Sequence, residues 1–143
     1  MLVIFNKFVM TQQIQEEKTQ SASRKIKTEF DTIVCPAKDW GMDDVFFKEN
    51  RWYAVRINAK NLSKLKYFAP YETRMKAIRF VAKIKEIRPF RNSGKFEIVF
   101  DGEPVKITPI RRSKINPHLA PQNKMYTKFE LFENARNLED LTY

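Results

Sequence analysis

A chain of 143 residues with a hydrophobic fraction of 43% is long enough for one core and short for two. Three glycines argue against a glycine-rich phosphate loop, the single Cys35 excludes an internal disulfide, and the single His118 leaves no Cys/His set for zinc. The formal charge of +10 favours polyanions, nucleic acid first and acidic membrane second, and says nothing about fold. A lone thiol suits a reducing cytoplasm, and the apolar run Met1–Phe5 is too short to span a bilayer and has no basic flank. The composition therefore predicts a soluble, cytoplasmic protein with no membrane partner, no cofactor and no metal.

Residues 1–29 read as an arm that is flexible or pairs as an edge. Leu2–Val9 is its apolar, strand-like part, and the stretch 11–28 is polar and aperiodic. The folded domain is expected over residues 30–143. "DTIVC" (31–35) is a short strand that Pro36 should stop, and "DWGMDDVFFKENR" (39–51) is a turn followed by a short helix near Asp43–Lys48. "WYAVRI" (52–57) alternates with period two, as a half-buried strand does. "KLKYFAPY" (64–71) is a second strand with a bend, because Pro70 should not occupy a central ladder position.

"KAIRFVAKIKEIRPF" (76–90) places Ile78, Phe80, Ala82 and Ile84 on one parity and Arg79, Lys83 and Lys85 on the other, which predicts a long strand. "RNSG" (91–94) is turn chemistry, and "KFEIVF" (95–100) alternates again, so the two segments form a hairpin. "DGEP" (101–104) turns the chain into a further strand, "VKITPI" (105–110). Residues 111–125 form a basic loop. "YTKFELFENARN" (126–137) is expected to be a helix opened by a Thr127/Glu130 capping box.

Charge is not spread evenly. Between Arg51 and Arg91 there are twelve Lys and Arg against two acids, an excess equal to the net charge of the whole chain. Like charges on neighbouring strands destabilise a sheet, so a one-sign face points to a partner. The bland explanation is a solvated outer face whose cations protect sheet edges. Arg51, Arg56, Lys64, Lys66, Arg79, Lys83 and Lys85 are the predicted phosphate contacts. Trp40, Tyr67 and Tyr71 are the predicted base-stacking rings, since aromatic faces beside cations suit unpaired bases. His118, in the Pro-flanked "INPHLAP", reads as a loop residue and Cys35 as a buried thiol. Asp101, Glu103 and Lys106 are the one carboxylate–lysine set that a metal-dependent nuclease would use, although the turn "DGEP" explains the two acids more simply.

The succession "TIVCPA", "VFFKENRWYAVRI", "LKYFAPY", "KAIRFVAKIKEIRPF", "GKFEIVF", "ITPI", "YTKFELFENARNLEDL" resembles the PUA-like domains, the group that includes the EVE, ASCH and YTH types, over roughly residues 31–141. The resemblance implies an α+β fold: a small mixed or antiparallel β-barrel of about five to six strands with peripheral helices. It also implies a non-enzymatic domain that binds DNA or RNA, with a modified base in an aromatic pocket as a candidate ligand. The segment Arg79–Lys83 is more basic than that pattern, which favours phosphate contacts over base readout. The alternative is an interaction protein that binds the acidic surface of a partner in a nucleic-acid-processing or defence complex.

Overall fold

The computed structural model describes residues 29–121 and 123–143; the expectations for residues 1–28 lie outside them. Seven strands form one mixed sheet: β1 (Thr32–Ala37), β2 (Arg51–Val55), β3 (Tyr67–Glu72), β4 (Ala77–Phe90), β5 (Lys95–Phe100), β6 (Val105–Arg111) and β7 (Met125–Thr127). Their order is β2-β5-β4-β3-β1-β7, with β6 also paired to β4. Only β1 and β3 run parallel. Among the described residues helical structure is limited to short pieces, the longest being Asp39–Gly41 continuing as a π-helical stretch, Met42–Phe47. The fold is thus α+β, and the sheet does not close on itself.

β4 organises the molecule. Its first half pairs with β3 and β6 and its second half with β5. Register shifts between Ile78 and Phe80 and between Ile84 and Glu86 bend it between the two groups. One extra β4 residue between Ile78 and Ala82, opposite Phe68–Tyr71 of β3, overturns the single-parity expectation. Ile78 packs in one apolar cluster, with Val81 and Ile107, while Phe80, Ala82 and Ile84 pack in the other. One inserted residue exchanges the two faces. The β4–β5 hairpin and its turn at residues 91–94 are as the alternation predicts.

The two clusters lie on opposite faces of β1 and β3. Val34, Tyr67, Ala69 and Tyr71 are covered by the C-terminal segment through Phe129, Phe132, Leu138 and Leu141. Ile33, Cys35 and Phe68 are covered by Met42, Phe46, Ile98 and Phe100. Burial pushes the Cys35 thiol up to about 12, as befits a packing residue.

Both prolines expected to limit strands lie inside them. Pro36 falls in β1, where β7 pairs only with Thr32–Val34 and asks nothing of the later residues. Pro70 lies in the buried centre of β3, in register with Cys35 of β1; on the other side the β3–β4 register shifts between Phe68 and Tyr71, so its missing N–H interrupts no regular pair with β4. The expected helix at 126–137 is absent. Thr127 is a buried residue of β7 whose hydroxyl donates to the Leu141 carbonyl at 2.6 Å, and the capping box of the C-terminal segment is built by Asn137 and Asp140 instead. The Thr127–Glu130 pattern fitted a cap, but an apolar set shared with β1 drew Met125–Thr127 into the sheet.

Candidate nucleic-acid interface

The twelve cations from Arg51 to Arg91 separate into two classes. Four arginines are ion-paired. Arg79 makes two 2.7 Å bonds to the Glu72 carboxylate, which is buried. Arg51 donates to Glu49 at 2.6 and 3.0 Å and to Glu97 at 2.8 Å. Arg88 holds the other oxygen of Glu97 and also reaches Glu86 at 3.2 Å. Arg74 meets Asp39 at 3.0 Å. The planar guanidinium suits such forked contacts, and an ammonium does not. The hydrogen bond from Arg88, then the charges of both arginines, hold the Glu97 carboxyl below the usual range; its burial opposes this only in part. The bonds to Glu72 and Glu49 raise the Arg79 and Arg51 guanidinia above their ordinary value.

Arg51 and Arg79 were both expected among the phosphate contacts on a common outer surface. The structure gives both carboxylate partners and leaves each side chain about a third exposed. The acids that neutralise them were hidden from a reading by composition: Glu97 comes from another strand, and Glu72 faces inward.

The second class is exposed and has no ion-pair partner among the described residues: Arg56, Lys64, Lys66, Lys83 and Lys85 are its predicted members. Sheet register gathers most of them. Tyr67 pairs directly with Lys83, and the Ile84 N–H donates to the Lys66 carbonyl at 2.8 Å. Lys66 therefore sits beside β4 between Lys83 and Lys85. The 3-10 turn Ala59–Lys64 brings Lys64 to the same end, held by Asn58 accepting from the Lys60 N–H. Asp31, the acid nearest the start of β1, faces inward: its carboxylate accepts from the Phe129 N–H at 2.8 Å and the Thr32 hydroxyl at 2.9 Å. Burial raises its pKa. Asp101 stands at the margin, its N–H on the Lys83 carbonyl.

The aromatic expectations are redistributed. Tyr67 is 7% and Tyr71 3% exposed. Tyr67 stacks on Phe129 with centroids 4.4 Å apart. Both rings belong to the core under the C-terminal segment, so neither lines an open pocket. Trp40 is 64% exposed but lies beyond the C-terminal end of β1, at the end of the sheet away from Lys64. The rings actually beside the lysines are Phe30 and Tyr126, stacked with centroids 4.4 Å apart and 21° between planes, with the Lys64 ammonium 5.3 Å from the centre of Phe30. Phe30 sits just before β1, where no alternation marks it, and Tyr126 was assigned to a helix. A second stack, Tyr53 on Phe90 at 4.8 Å, carries Arg51 and Arg91 at 4.5 and 4.9 Å.

Asp101 and Glu103 are exposed residues of the β5–β6 turn, and Gly102 between them takes φ 76°, the left-handed geometry the turn requires. Among the described residues no group of three or more His, Cys, Asp or Glu side chains is placed to hold a metal ion. No helix among them is long and apolar enough to cross a membrane. His118 is exposed in the 3-10 turn Pro117–Leu119, its N–H held by Asn116. No family model, curated protein or solved structure matches the chain.

Proposed function

We propose that this protein is a nucleic-acid-binding module of PUA-like character, its bent sheet a partly closed version of the barrel, and that Arg56, Lys64, Lys66, Lys83 and Lys85 contact backbone phosphates. The observation that carries this reading is the sorting of the cations. Arg51, Arg74, Arg79 and Arg88 of the same stretch have carboxylate partners, while Arg56 and the cluster around Lys66 have none among the described residues. A like-charged cluster costs the sheet stability and is relieved by an anionic ligand. The Phe30–Tyr126 stack beside Lys64 adds an apolar surface on which a base can lie. Phosphate contacts dominate in this reading, so affinity is sequence-tolerant and falls steeply with salt.

The test is fluorescence anisotropy with labelled single- and double-stranded DNA and RNA of roughly 20 nucleotides at about 50 and about 200 mM salt. Lys64→Glu/Lys66→Glu is expected to weaken binding to every sequence by about tenfold or more and to reduce the log–log salt slope by roughly 1.5. Unchanged affinity in that variant would remove this surface from the reading. Weak binding of the unaltered protein to all probes, with an acidic protein co-purifying at fixed stoichiometry, would favour the interaction-protein alternative.

A further inference from the structure

The opposite end of the sheet carries a second basic surface, which joins Arg74 and Lys76 of the stripe to Lys38, Arg111 and Arg112 outside it. β1, β3, β4 and β6 are neighbours, and the C-terminal ends of β1, β3 and β6 meet the N-terminal end of β4 there. At or just past those ends lie Lys38 and Trp40, then Arg74 and Lys76 of the β3–β4 turn, then Arg111 and Arg112. Backbone bonds fasten the row: Thr73 N–H to the Ala37 carbonyl at 3.0 Å, Arg112 N–H to the Lys76 carbonyl at 2.9 Å, and Arg111 N–H to the Arg136 carbonyl at 2.9 Å. All six side chains are exposed. Four strands at their ordinary spacing make the row about 14 Å wide.

Three neighbouring acids are already engaged. Asp39 is held by Arg74, Glu72 faces inward to Arg79, and Asp140 accepts from the Arg136 and Asn137 N–H groups. Lys38, Lys76, Arg111 and Arg112 have no ion-pair partner among the described residues. A second observation is independent of charge. Lys76 is held at φ 55°, in the left-handed region where glycine or asparagine costs less. A lysine kept in a strained turn position, beside two arginines and an exposed tryptophan, points to a use for its charge.

We infer that this sheet end is a second contact site for single-stranded nucleic acid, with an unpaired base stacked on Trp40 and phosphates held by Lys76, Arg111 and Arg112. The inference rests on the proposed function and adds to it where, and in which form, the nucleic acid is held. An exposed indole suits single strands, because paired bases offer no free face. Lys83 lies six residues along β4 from Ala77, about 20 Å away, so a single strand reaching both sites contacts the protein at both ends of β4.

The full chain is tested with labelled oligothymidine of roughly 20 nucleotides and a duplex of the same length. Arg111→Glu/Arg112→Glu should weaken oligothymidine binding about tenfold and reduce the salt slope by roughly 1.4, with melting temperature unchanged. Trp40→Ala should weaken single-strand binding more than duplex binding, and Trp40→Phe should recover most of it. Binding should quench tryptophan fluorescence in the unaltered chain but not in Trp40→Phe, which retains only the half-buried Trp52. Lys76→Gly should raise the melting temperature while weakening binding severalfold. If Lys64→Glu/Lys66→Glu weakens binding and the Arg111, Arg112 and Trp40 variants do not, this inference falls and the proposed function stands. If the unaltered chain binds no probe, both fall.

Discussion

At the scale of single residues, arginine and lysine divide the work. The arginines with carboxylate partners hold strands together through forked contacts, and the lysines at the start of β3 and middle of β4 face solvent. Glu97 is the clearest case, because one buried carboxylate serves Arg51 and Arg88 from different strands. Glu97→Gln should cost about 1–2 kcal/mol, since its charge-assisted bonds are lost but both arginines remain partly solvated. Its folded pKa is lowered, so its contribution is present above the unfolded value and is lost as pH falls through the folded one. Melting curves from pH 7 to pH 3 should therefore fall less steeply for Glu97→Gln than for the unaltered protein. Parallel curves would show that folding does not lower the Glu97 pKa.

At the scale of elements, the helix 39–47 is positioned by one close approach. A Cβ at Gly41 would lie 2.7 Å from Cη2 of Trp52, whose ring packs against Phe68 at 5.7 Å. Gly41 has ordinary helical φ, so the requirement is for space and not for backbone freedom. Gly41→Ala should destabilise by about 1–3 kcal/mol through overpacking, and Trp52→Leu in the same chain should recover part of that loss. Additive losses measured by denaturant unfolding would mean that the two residues do not compete for that space. Phe46 and Phe47 follow on this helix, and their edge contacts to Phe100 and Phe80 tie it to β5 and β4. The sequence marked a helix here but not its start at Asp39, because the residues that dock it lie in other strands.

At the scale of the whole molecule, a charge's role depends on what lies across the sheet from it. Arg79→Gln should lower stability by about 1–3 kcal/mol, leaving the buried Glu72 carboxylate without its partner, while leaving nucleic-acid affinity within about twofold. Lys83→Glu/Lys85→Glu should do the reverse, with a small thermal effect and a loss of about tenfold in affinity. Equal loss of affinity in both variants would show that the ion-paired arginines also touch the ligand. Strand-forming residues and turn chemistry were enough to place β2, β4, β5 and β6 and the turns between β4 and β6, but period two held only through β5 and was broken by register shifts in β2 and β4. Composition along the chain was also enough to locate the excess charge between Arg51 and Arg91. Tertiary structure alone decided which of those cations are free, since the neutralising Glu97 is 46 residues from Arg51 and reaches it only through strand pairing. It likewise buried Tyr67 and Tyr71, kept Met125–Thr127 in the sheet, and brought Arg112 to the Lys76 carbonyl at one end of the sheet. Burial, pairing and bulges are properties of strands meeting, and a single segment carries no record of its neighbours.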